Sequence, residues 1–110
     1  MGSETDCVLV LTTLPIEADA EAFAARLVEE RLAACVAIHA EMQSVYRWDG
    51  RVTRDRERQL VIKTAAARTD ALLARLRELH PYDLPERLVI PVAAGGEDYL
   101  RWVRDGTLGS

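Results

Sequence analysis

Few side chains in this sequence can do metal or acid–base chemistry, and their spacing limits what they can do. Cysteine occurs at Cys7 and Cys35, and histidine at His39 and His80. A thiol with an imidazole favours copper or zinc over magnesium. Cys35 and His39 share strand parity, but four residues of strand span about 13 Å. Two ligands of one ion sit at about 2.0–2.3 Å from it, so this pair alone makes no site. Cys35 and His80 are the candidate metal ligands, in a site completed by carboxylates across subunits. His80 also reads as an imidazole at a helix C-terminus, favoured there by the helix dipole. The alternative is a ligand presented beside Tyr82, Asp83 and Glu86.

Lys63 lies inside an apolar strand, between Ile62 and Thr64. It must snorkel, pair with an acid such as Glu57 or Glu86, or face a pocket. Beside histidine and tyrosine in a cleft it would hold an anion. Catalytic signatures are absent: no G-x-S-x-G, no Walker loop, no H-E-x-x-H, no C-x-x-C. Cys35 sits in an apolar run, which suits a core thiol better than a nucleophile. The chain is not read as an enzyme.

The elements that position these residues follow from hydrophobic periodicity. Cys7–Leu11 is an apolar run read as a buried strand. Glu17–Leu32 carries Ala20, Phe23, Ala24, Leu27, Val28 and Leu32 at helical spacing, with acids in the first turns. Cys35–Ile38 and Val45–Trp48 are strand-like, with a bulge or bend expected at Glu41–Gln43. Asp49-Gly50 calls for a two-residue hairpin turn in which both residues have positive φ. The second arm ends in Leu60-Val61-Ile62-Lys63-Thr64. Thr69–Leu79 is a second helix with Thr69 as its N-cap, stopped by His80-Pro81. Leu88–Val92 is a further strand, its proline at an edge or bulge. Glu97–Arg104 reads as a short terminal helix.

This order of two βαβ halves joined by a hairpin is the split-βαβ, ferredoxin-like α+β pattern, with an antiparallel sheet and its helices on one face. The expected layout is a flexible N-terminus at 1–6, one domain at 7–105 and a flexible C-terminus at 106–110. The strands are apolar on both parities, so the face without helices should be covered by other copies of the chain. The hairpin tip, with Tyr46, Trp48, Asp49 and Gly50, is expected to lie on a neighbouring subunit. Alternatively, its aromatics cap this subunit's own core.

Composition sets the outer limits. The chain has 110 residues, 49% of them hydrophobic, and a formal net charge of −4. One domain is expected. An acidic balance argues against nucleic acid as the main partner. The alternating run Arg54-Asp55-Arg56-Glu57-Arg58 reads as a solvated stretch. No apolar run is long enough to span a bilayer, and none resembling a signal peptide precedes Cys7. The expectation is a cytoplasmic protein with free thiols; a Cys7–Cys35 disulfide is the other arrangement.

Leu32-Ala33-Ala34-Cys35-Val36, Ser44–Arg51, Val61–Thr64, His80–Glu86 and Tyr99–Val103 together resemble the CutA divalent-cation-tolerance proteins. They do so in order, from about Val8 to Val103. The resemblance implies a ferredoxin-like homotrimer, a bacterial cytoplasmic setting and a role in divalent-cation tolerance linked to copper. It also implies kinship with PII-type signalling trimers. The alternative function is therefore a small-molecule sensor with ligand sites in inter-subunit clefts. By motif position Glu57, Lys63, Tyr82 and Glu86 match the recurring polar positions of those clefts, as His80 does. Tyr46 and Trp48 match the aromatic hairpin. Ala37 stands where relatives often carry asparagine, Thr12 where some carry cysteine, and Leu79 where some carry a second histidine.

Overall fold

The structure is a computed structural model and describes residues 5–109. Its elements run β1 (Cys7–Pro15), α1 (Ala20–Glu29), β2 (Cys35–Trp48), β3 (Arg51–Ala65), α2 (Thr69–Leu79), β4 (Leu88–Pro91) and α3 (Glu97–Leu108). The sheet order is β2-β3-β1-β4, and every neighbouring pair is antiparallel. This is the split-βαβ α+β architecture that the order of elements demands. Among the described residues no helix is long and apolar enough to cross a membrane.

The two faces of the sheet have different fates. Val8, Val10 and Ile62 point to the face covered by α1 and α2, where they pack with Leu27, Leu72 and Leu76. Leu14 and Leu60 extend that core against Ala20. The opposite face carries Leu9, Leu11, Val61 and Ala37, aligned across the strands with Ile90, Leu88 and Lys63. Leu100 and Val103 of α3 cover its Cys7 end. Leu88 and Ile90 stay 56% and 43% exposed.

Several local features depart from the sequence reading, each for a physical reason. α1 starts at Ala20 because the Asp19 carboxylate accepts the Ala22 N–H at 3.0 Å, an N-cap bond. It ends at Glu29, although the apolar stripe continues to Leu32. Arg31 adopts φ 60°, and the Leu32 and Arg31 amides close back on the Leu27 and Val28 carbonyls, a Schellman ending. A single 3₁₀ turn, Ala66–Arg68, leads into α2, so Thr69 is the first helical residue and not the side-chain cap.

α3 continues past Arg104 to Leu108, into the segment expected to be a flexible C-terminus. Thr107 is buried, and its carbonyl accepts from Arg68 Nε at 2.9 Å. Of the expected flexible N-terminus, residues 1–4 lie outside the described residues, as does Ser110. The Thr5 hydroxyl donates to the Val92 carbonyl at 2.8 Å.

The hairpin forms as Asp49-Gly50 requires, with φ 53° and 78°. β2 and β3 pair from Trp48–Arg51 to Cys35–Lys63, with one irregularity. Ile38 opposes Leu60 and Glu41 opposes Arg58, so two residues, His39 and Ala40, face Gln59 alone. The bulge therefore falls one or two residues before the expected Glu41–Gln43. Strand side chains alternate faces, so the extra residue changes which parity of β2 faces which way. Cys35 and Ala37 lie on the face away from α1 and α2. Beyond the bulge Met42, Ser44, Tyr46 and Trp48 join them, opposite Glu57, Asp55, Thr53 and Arg51.

Candidate functional site

The alternating run in β3 sorts by face in the same way. Arg54, Arg56 and Arg58 share one side of the ribbon, and Asp55 and Glu57 share the other. On the acidic side the loop after α2 folds back toward the ribbon. Together they enclose a cleft of about 780 Å³, lined by Met42, Tyr46 and Trp48 from β2, Asp55, Glu57 and Gln59 from β3, and 81–86 from the loop. The structure thus brings together Glu57, Tyr82 and Glu86, three of the expected cleft residues, and sets beside them Tyr46 and Trp48, which the sequence assigns to the hairpin contact with a neighbouring subunit. Asp83, expected beside His80 with Tyr82 and Glu86, lines the cleft too, and Asp55 and Gln59 are additions to the site that the sequence reading does not contain. Period-two alternation of Asp55 and Glu57 was the available signal, because it puts both acids on one face of a strand.

Glu57 is only 7% exposed. The Tyr82 hydroxyl donates to its Oε2 at 2.8 Å. Burial and the neighbouring Glu57 charge push the Tyr82 phenol well above the ordinary tyrosine range. Tyr46 donates its hydroxyl to Asp55, which raises its pKa too. Gln59 Nε2 donates both to Glu86 Oε2 at 2.9 Å and to the Thr12 carbonyl at 2.8 Å, anchoring the loop to the sheet.

His80 stands behind this loop with both ring nitrogens occupied. Nε2 lies 2.6 Å from the Thr13 carbonyl, which can only accept, so Nε2 carries the proton. Nδ1 then accepts the Tyr82 N–H at 3.1 Å. Phe23 meets the ring edge-on, with centroids 6.1 Å apart. Burial lowers the His80 pKa, against the upward pull of the Thr13 carbonyl and of Glu57. The imidazole is held neutral, as a brace between β1 and the loop.

Lys63 is not part of the cleft. It lies opposite Cys35 on the sheet, and its Nζ donates to the Tyr99 hydroxyl at 3.2 Å, 5.4 Å from the ring centroid. That hydrogen bond raises its pKa. The pairing of Lys63 with Glu57 or Glu86, and the grouping of Lys63 with His80, do not form. Cys35 and His80 are likewise separated within one chain. Cys35 opposes Lys63, while His80 bonds Thr13, whose partner Gln59 is four residues away along β3, about 13 Å. Among the described residues no three His, Cys, Asp or Glu side chains cluster to hold a metal ion. Both cysteines are free; Cys7 is buried beneath α3, which pushes its thiol pKa up.

A split-βαβ subunit with one uncovered apolar sheet face and a long projecting hairpin defines the class of protein. A model of the family described as CutA1 divalent ion tolerance protein matches residues 8–106. The divalent-cation tolerance protein CutA of Thermus thermophilus is 46% identical over 99 residues, covering 90% of this chain and 96% of its own length. The crystal structure of CutA from Xylella fastidiosa superposes with a TM-score of 0.89 at 41% identity, covering 94% of this chain and 99% of that one. A CutA from Archaeoglobus fulgidus, described as periplasmic, gives 0.87 at 28% identity over 92% of this chain and 98% of its own. The chain belongs to the CutA1 divalent ion tolerance protein family.

Proposed function

We propose that this chain serves divalent-cation tolerance as a homotrimeric binding protein, linked to copper, with its metal site completed across subunit boundaries. It works by binding and not by catalysis, in the reducing cytoplasm, where both thiols stay free. The observation that carries the reading is the uncovered sheet face. Leu9, Leu11, Val61, Leu88 and Ile90 form an apolar surface that one chain leaves open. Covering it is worth about 1.5–3 kcal/mol per large side chain before association costs.

Cys35 is the soft donor that the fold leaves half-buried on this same face. His80 joins a metal only by giving up a hydrogen bond. The alternative, a PII-like sensor of an anionic metabolite, loses support from the separation of Lys63 and His80.

The test is light scattering coupled to size exclusion, with and without one equivalent of Cu²⁺, and metal analysis of the eluted peak. The expected result is three times the chain mass with copper retained, and retention lost in Cys35→Ser. A monomer would overturn the assembly, and a trimer that elutes without copper would overturn the metal site.

A further inference from the structure

The sheet face that α1 and α2 cover continues along the hairpin ribbon, where it lies open and carries one arginine per row. Arg47 stands opposite Val52, Arg54 opposite Val45, Arg56 opposite Gln43 and Arg58 opposite Glu41. Rows on one face repeat every second residue, about 7 Å along the strand. Guanidiniums thus line one side of the ribbon against a single carboxylate, in a chain whose net charge is −4. Glu41 pairs with Arg56, and Arg47 Nη1 donates to the Gly50 carbonyl at 3.4 Å. Arg54 and Arg58 form no ion pair among the described residues.

Aligned like charges repel one another and attract an anionic occupant. The rest of the face selects its kind. Tyr46 and Trp48 lie on the other side of the ribbon, so the arginine face offers the bases of a single-stranded nucleic acid no ring to stack on. Val45 and Val52 stand among the arginines, 59% and 55% exposed, and offer apolar contact to side-chain methylenes. Side chains on one face of an extended peptide also repeat at about 7 Å. A segment with a carboxylate at every second residue therefore meets one guanidinium per row, each able to grip it through two parallel hydrogen bonds. The proposed assembly turns the aromatic face of this ribbon toward a neighbouring subunit, which directs the arginine face outward.

We infer that the arginine face of the hairpin is a docking surface for an extended acidic segment of another protein. Arg47, Arg54, Arg56 and Arg58 each receive one carboxylate, and Val45 and Val52 pack against the stems of the acidic side chains. The surface is separate from the proposed copper ligand, because Cys35 lies at the far end of β2, and it needs no metal.

The probe is a synthetic peptide of alternating glutamate and threonine, four of each, capped at both ends. It is titrated at low salt into the assembled wild-type protein and followed by calorimetry. An isomer with its four glutamates consecutive, and an octathymidylate, are run beside it. Saturable binding of one alternating peptide per chain is expected, about fivefold tighter than the isomer. The double variant Arg47→Gln, Arg54→Gln, at two exposed positions without ion pairs, should weaken it about tenfold. Arg77→Gln with Arg101→Gln, which removes the same charge from exposed positions on α2 and α3, should leave the affinity unchanged. Light scattering confirms that each variant is still assembled. Equal affinity for the two isomers, or equal losses in the two double variants, would reduce the effect to general charge attraction and overturn the surface. Absence of binding would overturn it too, and an octathymidylate that binds as tightly as the alternating peptide would overturn the choice of a protein segment.

Discussion

The Tyr82 hydroxyl donates to Glu57 Oε2 at 2.8 Å, tying the loop after α2 to the root of the hairpin, 25 residues away in sequence. Removing that hydroxyl leaves a buried carboxylate with no described donor. Tyr82→Phe is expected to cost about 2 kcal/mol, in the range for hydrogen bonds to charged groups. Chemical denaturation measures it. The double variant Tyr82→Phe, Glu57→Gln should recover part of the loss, because the unpaired charge goes as well.

His80 should make stability fall in mild acid. Its folded-state pKa is lowered by burial, whereas an unfolded histidine titrates near 6.5. Below that pH the unfolded chain binds a proton that the folded imidazole resists, so unfolding becomes easier as pH falls. Melting temperatures between pH 7.5 and 5.5 should drop more for the wild type than for His80→Gln. Parallel curves for the two proteins would assign the acid sensitivity to other groups.

Gly50 holds φ 78° at the hairpin tip, with nothing within 4 Å of the position a Cβ would take. Gly50→Ala therefore meets no clash, only the left-handed backbone penalty of about 1–2 kcal/mol. An unfolding midpoint shifted by that amount, with the structure otherwise retained, is the expected result. Trp48→Ala, also at the tip, should instead weaken the oligomer, read as dissociation at higher concentration by light scattering.

Leu72 and Leu88 separate the chain's own core from its outer surface. Leu72 is fully buried between α2 and the sheet, and Leu72→Ala should cost about 2–5 kcal/mol. Leu88 is 56% exposed on the uncovered face, so Leu88→Asp should leave the fold of a single chain intact and lower the molar mass of the assembly. Circular dichroism and light scattering on the same samples distinguish the two outcomes.

Much of this architecture is written locally. Asp49-Gly50 sets the hairpin, the leucines of α2 set a helix with the expected bounds Thr69–Leu79, and the apolar runs set the strands. The exact ends of α1 rest on finer local detail than periodicity carries, a carboxylate cap at Asp19 and the left-handed Arg31. Long-range partners are what local patterns omit altogether. Lys63 looked like a cleft residue because its strand neighbours are apolar, yet Tyr99 arrives from α3 to hold it. Asp83 was legible as a neighbour of Tyr82 and Glu86, but that this loop folds back onto the hairpin, facing Asp55 and Glu57, is a long-range fact that its immediate sequence does not state.

The bulge at His39-Ala40 has a consequence for how such a chain can vary. Its extra residue is the only reason that Cys35 and Ala37 share a face with Met42, Ser44, Tyr46 and Trp48 across a change of numbering parity. With the Asp49-Gly50 turn in place, loss of a single codon at this point would leave one residue opposite Gln59 and every other pair, Ile38 with Leu60 and Glu41 with Arg58 onward, unchanged. The ladder would become regular, and the wall opposite Asp55 and Glu57 would still be Met42, Ser44, Tyr46 and Trp48. A deletion here is absorbed by the sheet, whereas the same loss from a strand without a bulge would slip the register by one and turn every side chain beyond it to the other face.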